Sequence, residues 1–352
     1  MPNSKHTAKE NVMGSGAWDS YTYTSHLAAK AAAGKSTFDY TDQIRSGQTS
    51  AKANILLDPK VKAGDASSFA GKVMREVVIS DEHPNPTPIA IVLDVTGSNY
   101  TAAVAVHAKL PQLFGLLQRK GLIEDPQILI AATGDANSDR VPLQVGQFES
   151  DNRIDAMIEA MYLEGFGGGQ AHETYELAAY FLARHTYLEP WHKQGRKGYA
   201  IFIGDEKPYD RVKASQVRTH IGVDIEADVP TTQVFEELKE QYEPFFLFQK
   251  QGSYSESQVL PSWRKLLNEQ AVTLEDPNNV CEFIAGLLLL REGGLDLDEV
   301  EDELADAGFN TTAIRSASKT LALVGAGGSG GAVAKTDGSL GLDDDSTGAD
   351  RL

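Results

Sequence analysis

The run Ile89-Ala90-Ile91-Val92-Leu93-Asp94-Val95-Thr96-Gly97-Ser98 constrains this chain more than any other stretch. Ile89 to Leu93 are apolar without a charge, which predicts a strand buried on both faces inside a parallel sheet. Asp94 then falls at the carboxyl end of that strand, where open α/β sheets place their sites. Thr96 and Ser98 set two hydroxyls two residues apart, and Gly97 permits a tight turn between them. One carboxylate and two hydroxyls in a single loop suit a hard divalent cation, because Mg2+ takes oxygen ligands and retains waters. Taken singly, each residue would be read as a cap for the helix that follows; three together after a buried strand favour a metal site.

The flanking sequence alternates strands with helices. Met74 to Ser80 is β-rich and predicts an edge strand joined to the central one, with the proline-rich 84–88 stretch barring a helix. Tyr100 to Arg119 carries apolar residues at helical spacing, closed by Gly121, so a helix starts at the metal loop. Gln127 to Thr133 is the next strand, and Gly134-Asp135 follows it as Asp94 follows the first. Val141 to Phe148 alternates like an exposed strand, Arg153 to Met161 reads as a short helix, and the glycine run 165–169 precedes a helix from His172 to Arg184. Tyr199 to Gly204 is another buried strand, ending in Asp205-Glu206. Phe245 to Phe248, a helix from Leu260 to Asn268 and a last strand from Ala271 to Leu274 follow, and then come a mostly apolar helix from Val280 to Leu290 and two amphipathic helices between Leu295 and Leu323. The pattern predicts an α/β fold: a doubly wound, mostly parallel central sheet flanked by helices. It divides the chain into a flexible or partly ordered N-terminal arm (1–70), a central domain (71–292), a C-terminal helical extension (293–324) and a disordered acidic tail (325–352).

Charge narrows the function. A formal net charge of -18 opposes sequence-independent binding to nucleic acid or to an anionic membrane surface. The single cysteine, Cys281, excludes an intramolecular disulfide and a cysteine-rich zinc site. With no signal-peptide core at the N-terminus and no apolar run long enough to span a bilayer, the expected location is the cytoplasm. Two local motifs fail: 33–37 lacks the first glycine of a phosphate loop, since Ala29 stands there, and Asp296-Leu297-Asp298 lacks the glycine and the bidentate Glu of a calcium loop. No feature sets an oligomeric state.

Four loops at four strand ends carry a family resemblance. Asp94-Val95-Thr96-Gly97-Ser98, Gly134-Asp135, the loop from Gly167 to Glu173, and Gly204-Asp205-Glu206-Lys207-Pro208-Tyr209 appear in that order. Over roughly residues 75 to 290 the chain resembles the von Willebrand factor A domain family, in its intracellular bacterial or phage-like branch, whose metal-ion-dependent adhesion site is an Asp-x-Ser/Thr-x-Ser loop. The resemblance implies that Thr96 and Ser98 ligate the metal directly, that Asp94 holds its waters, and that Asp205 is the later acid. The third loop departs from the family pattern: Gly169 and Gln170 stand where relatives have Thr or Asp, which leaves Gln170, Thr174 or water as the ligand. Asp135 reads equally as a turn residue or as a further acid near the metal. His172 reads as a packing or capping residue, Glu173 as an acid favouring the helix N-terminus through the macrodipole, and Trp263 as core.

A rival resemblance is to the haloacid dehalogenase superfamily, Mg2+-dependent phosphoryl-transfer enzymes in which Asp94 would be the nucleophile and Gly204 to Asp210 a metal loop. That chemistry needs a positioned lysine and a flap before the first helix, and here the helix starts directly after Ser98. The favoured reading is a non-enzymatic binding module. A cation (Mg2+, or Mn2+ or Ca2+) held largely by neutral hydroxyls keeps positive charge and seeks a carboxylate from a protein partner. The resemblance implies adaptors in multiprotein assemblies, some of them working with AAA+ ATPases.

Overall fold

The computed structural model describes residues 18–97, 100–119, 123, 125–165, 171–250 and 254–325. Its central six-stranded sheet comprises β1 (Thr87–Asp94), β2 (Pro126–Thr133), β3 (Leu143–Glu149), β4 (Gly198–Gly204), β5 (Tyr242–Gln249) and β6 (Ala271–Leu274). The spatial order is β6-β5-β4-β1-β2-β3, and every neighbouring pair is parallel except β2 with β3. The apolar runs are continuous because both sheet faces are covered. Ile89, Ile91 and Leu93 of β1 enter one core with Ile128, Ile201 and Phe245, whereas Ala90 and Val92 enter a second with Leu129, Phe202 and Phe246.

The helices used below are α1 (Ser20–Ala32), α2 (Asp39–Arg45), α3 (Tyr100–Arg119), α4 (Arg153–Glu159), α5 (Tyr175–Arg184), α6 (Thr231–Gln241), α7 (Glu256–Leu267), α8 (Val280–Arg291), α9 (Leu297–Asp306) and α10 (Thr311–Gly325). Side chains of α3, α4 and α8 fill the first core, with α9 and α10 packed behind α8 through Val300, Leu304, Ala317 and Leu321. Helices α5, α6 and α7 fill the second core, where Trp263 is fully buried and stacks on Phe246 with 3.9 Å between ring centroids. Asp296 is a helix cap, not a calcium ligand: it accepts from Glu299 N at 2.9 Å, and the Glu299 side chain answers its backbone N–H. Among the described residues no helix is long and apolar enough to cross a membrane.

The N-terminal arm, expected to be flexible or partly ordered, packs on the domain from Trp18 onward. Trp18 stacks on Phe114 of α3 and donates Nε1 to Asp155, while Tyr23 donates its hydroxyl to the carbonyl of His107 at 2.9 Å. Farther along, Leu57 is fully buried and its carbonyl accepts from Val145 N at 2.8 Å, so the arm covers the outer strand β3. That covering explains why β3, expected to be exposed, is buried along most of its length. Composition misjudged the arm because a few large side chains, aimed at one core, suffice to hold it.

The 74–80 segment is also corrected. Only Arg75–Val77 is a strand, and it pairs in parallel with Thr186–Leu188, outside the central sheet. The cause is Arg75, which is 1% exposed and donates to the carbonyls of Gly146, Val61 and Asp58. Its guanidinium ties the strand to β3 and to the arm through side-chain bonds, while the backbone of the strand pairs elsewhere.

Candidate metal centre

The site begins where β1 ends. Val95 N bonds Thr133 O at 3.3 Å, continuing the pairing with β2 by one residue, and Gly97 then turns the chain with φ +46°. Asp94 is fully buried, and both of its oxygens accept hydrogen bonds: Oδ1 from Thr96 N at 2.9 Å and Thr96 Oγ1 at 2.7 Å, Oδ2 from the Tyr175 hydroxyl at 2.8 Å. Burial pushes the Asp94 carboxyl above the usual carboxylate range; the bond from Thr96 N opposes this, and the nearby Asp205 charge adds to it.

Close packing fixes this corner. Gly204, at the end of β4, lies against Asp94 and Tyr175, and a Cβ there would fall 1.9 Å from the Tyr175 hydroxyl oxygen. Glu206 follows two residues later and is held by its backbone, whose carbonyl accepts from Trp263 Nε1 at 2.8 Å. His172–Glu173 pairs in parallel with Lys207–Pro208, which joins the loop before α5 to the loop after β4. These contacts bring Glu173 to Thr96, with Thr96 Oγ1 3.2 Å from Glu173 Oε1.

That hydroxyl has one proton and two carboxylates beside it. If it donates to Asp94, at the shorter distance, Glu173 needs a proton of its own or a cation. Glu173 is 1% exposed and Glu206 9% exposed, and Glu173 Oε2 and Glu206 Oε2 are buried without a hydrogen-bond partner. Burial pushes both carboxyls upward most; the contact between the two raises Glu173 and lowers Glu206, and the Asp94 charge raises both. An ionised carboxylate without a counter-charge is costly in such surroundings, so the group holds protons or a positive ion. Among the described residues no three His, Cys, Asp or Glu side chains form a metal cage by themselves. The oxygen donors present, one hydroxyl and unpartnered carboxylate oxygens, fit a hard cation that completes its shell with water.

The other expected residues occupy distinct places. Asp205 is 2% exposed at the end of β4 and acts electrostatically on Asp94. Thr174 is fully buried, but its hydroxyl donates to the carbonyl of Gly134 and accepts from Ala136 N, so it pins the neighbouring loop. Asp135 takes its turn role: it accepts from Asn137 N at 3.0 Å and from Ser138, and its second oxygen also receives the Tyr209 hydroxyl. His172 stacks on Tyr209. Ser98, Gln170 and the glycines 167–169 lie outside the described residues.

Three contributors escaped the sequence reading. Glu173, expected to serve only the helix dipole, is a buried partner of Thr96; Tyr175 fixes Asp94; Glu206 faces inward beside them. For Glu173 and Tyr175 the available signal was position, since both lie within six residues of Gly169. For Glu206 it was adjacency to Asp205.

No family model matches the chain, and no curated protein matches it. Solved structures do show similarity. The pilus adhesin SpaC from Lactobacillus rhamnosus GG, in its open conformation, aligns with a TM-score of 0.38 and 11% identity over 63% of this chain and 30% of that one. Another crystal form of SpaC gives 0.38 and 10% over 63% and 31%. Proximal thread matrix protein 1 from the mussel byssus gives 0.35 and 12% over 58% and 46%. The aligned part thus spans about a third of the adhesin's length. At these scores none of the three assigns a fold or a role.

Proposed function

We propose that this chain is a metal-dependent protein-binding module with a doubly wound, von Willebrand factor A-like fold, and that the loop after β1 holds Mg2+ or a related divalent cation. The observation that carries this reading is Thr96 Oγ1, set between the carboxylates of Asp94 and Glu173 at 2.7 and 3.2 Å, at the carboxyl end of an interior strand. Thr96 and Glu173 would hold the cation, Glu206 would face it, and Asp94 would position Thr96. The metal would supply a Lewis-acidic position for a carboxylate of a partner protein. Glu173 takes the third-loop place that Gln170 and Thr174 were expected to fill. It lowers the positive charge left for a partner and tightens the hold on the ion itself.

Asp94 suits positioning better than nucleophilic attack, because both of its oxygens already accept hydrogen bonds. This favours a binding module over a phosphoryl-transfer enzyme. The test is capture of partners from the native host with the full chain, with and without EDTA, alongside Thr96→Val. Prey that EDTA and Thr96→Val both release is the expected result. Prey retained under both conditions would refute metal-dependent capture.

A further inference from the structure

A second cluster of uncommitted side chains lies at the β6 edge of the sheet. A cavity of about 670 Å3 opens between α7, β6 and α10, lined by Arg264, Thr273, Thr312, Arg315, Lys319 and Leu323 among others. It continues into a cavity of about 630 Å3 through Glu256 and Arg264, which border both. Acids outnumber bases in this chain by 50 to 32, yet three cations meet here, and the side chains of Arg264, Arg315 and Lys319 make no hydrogen bond or ion pair with any described residue. Two acids border the cavity: Glu275 is held by Lys250 at 2.7 Å, and Glu256 is exposed at the Arg264 end, so the three cations outnumber the one uncommitted acid. Arg315 and Lys319 stand one turn apart on α10, a spacing at which like charges repel. Thr273 Oγ1 is buried beside them without a partner, and Leu323, 60% exposed, adds apolar surface. The groove therefore offers guanidinium, ammonium and hydroxyl donors to an anion, with an apolar margin.

We infer that the groove between α7, β6 and α10 is the docking site for this chain's own acidic segment Asp343-Asp344-Asp345. Charge is the first argument. Consecutive carboxylates match two guanidinium forks and an ammonium, and guanidinium–carboxylate pairs are often bidentate. Reach is the second. The chain leaves α10 at Gly325, and Asp343 lies 343 − 325 = 18 residues farther on. Returning from Gly325 to Arg315 along the helix covers ten residues, about 15 Å at 1.5 Å per residue. Eighteen residues span about 27 Å if helical and about 60 Å if extended, so either conformation suffices. Tethering is the third argument. An attached ligand acts at about millimolar effective concentration, whereas a free anion must approach a molecule of net charge -18.

The test is a spin label on Ser346→Cys in the full, isotope-labelled chain without added divalent metal. Native Cys281 is fully buried, so it does not compete for the reagent. Amide signals of Thr312 to Lys319 and of Arg264 are expected to lose intensity through the paramagnet. That loss should vanish in Arg315→Glu/Lys319→Glu, whose positions are exposed, and return when Asp343→Lys and Asp344→Lys are added. It should also vanish at about 1 M salt, where the screening length falls to about 3 Å. Unperturbed groove signals would overturn the inference. So would loss centred on the loop after β1, which would place the segment at the acidic site. Loss seen only when label and isotope sit on different chains would assign the groove to a second copy and equally overturn it.

Discussion

Replacing Glu159 with Gln tests whether the N-terminal arm is part of the folded domain. The side chain of Glu159, on α4, is 7% exposed and receives Lys30 Nζ and His26 Nε2 of α1, each at 2.8 Å, while His107 Nε2 of α3 stands 3.4 Å away. Burial pushes the Glu159 carboxyl up, but the His107 imidazole beside it and the hydrogen bonds from His26 and Lys30 outweigh burial and bring it down to about 2, from an ordinary value of 4.5. A carboxyl lowered on folding contributes stability above its unfolded value and loses it as pH falls through the folded one. The window is therefore about pH 4.5 to 2. The full shift corresponds to about 3 kcal/mol, and solvent screening at the rim reduces it to about 2. Glu159→Gln should cost that amount at pH 7, and the difference from wild type should fall by more than half by about pH 3. Urea unfolding at both pH values, followed by fluorescence including that of Trp18, measures it. Equal stability of the two proteins at pH 7, or a difference unchanged at pH 3, would refute the reasoning.

Arg75→Met removes donors from the carbonyls of Gly146, Val61 and Asp58 and should cost about 3 kcal/mol in urea unfolding. Arg75→Lys should recover little of this, because an ammonium cannot fan out to all three. Gly204→Ala forces a methyl against the Tyr175 hydroxyl and should cost about 1 to 3 kcal/mol. In a Tyr175→Phe background the cost should shrink, and strict additivity in a double-mutant cycle would count against the contact. Asp135→Asn, which keeps the turn acceptor, should leave Mg2+ affinity in calorimetry within about twofold of wild type, a difference under about 0.5 kcal/mol.

Elements held together by a single local pattern were legible. The continuous runs of β1, β2 and β4 announce strands covered on both faces, and Asp94 and Thr96 stand out because they follow one of them. What escaped depends on contacts between distant segments. Glu173 reaches Thr96 across 77 positions, and Arg75 binds Gly146 across 71, and no periodicity encodes either. The arm was misjudged for a related reason: average composition hides how Trp18, Tyr23 and Leu57 fall on one core. Asp135 shows the opposite limit, since its local turn chemistry was readable but its capture by Tyr209 was not.

Titration of the full chain with Mg2+ by calorimetry at neutral pH, with Thr96→Val and Glu173→Gln as comparisons, tests the central claim most directly. One ion per chain is expected. Each substitution should weaken binding by at least about tenfold, or about 1.4 kcal/mol, while leaving the fold intact by circular dichroism. Binding of equal strength in wild type and both folded variants, or no binding in any of them, would contradict it.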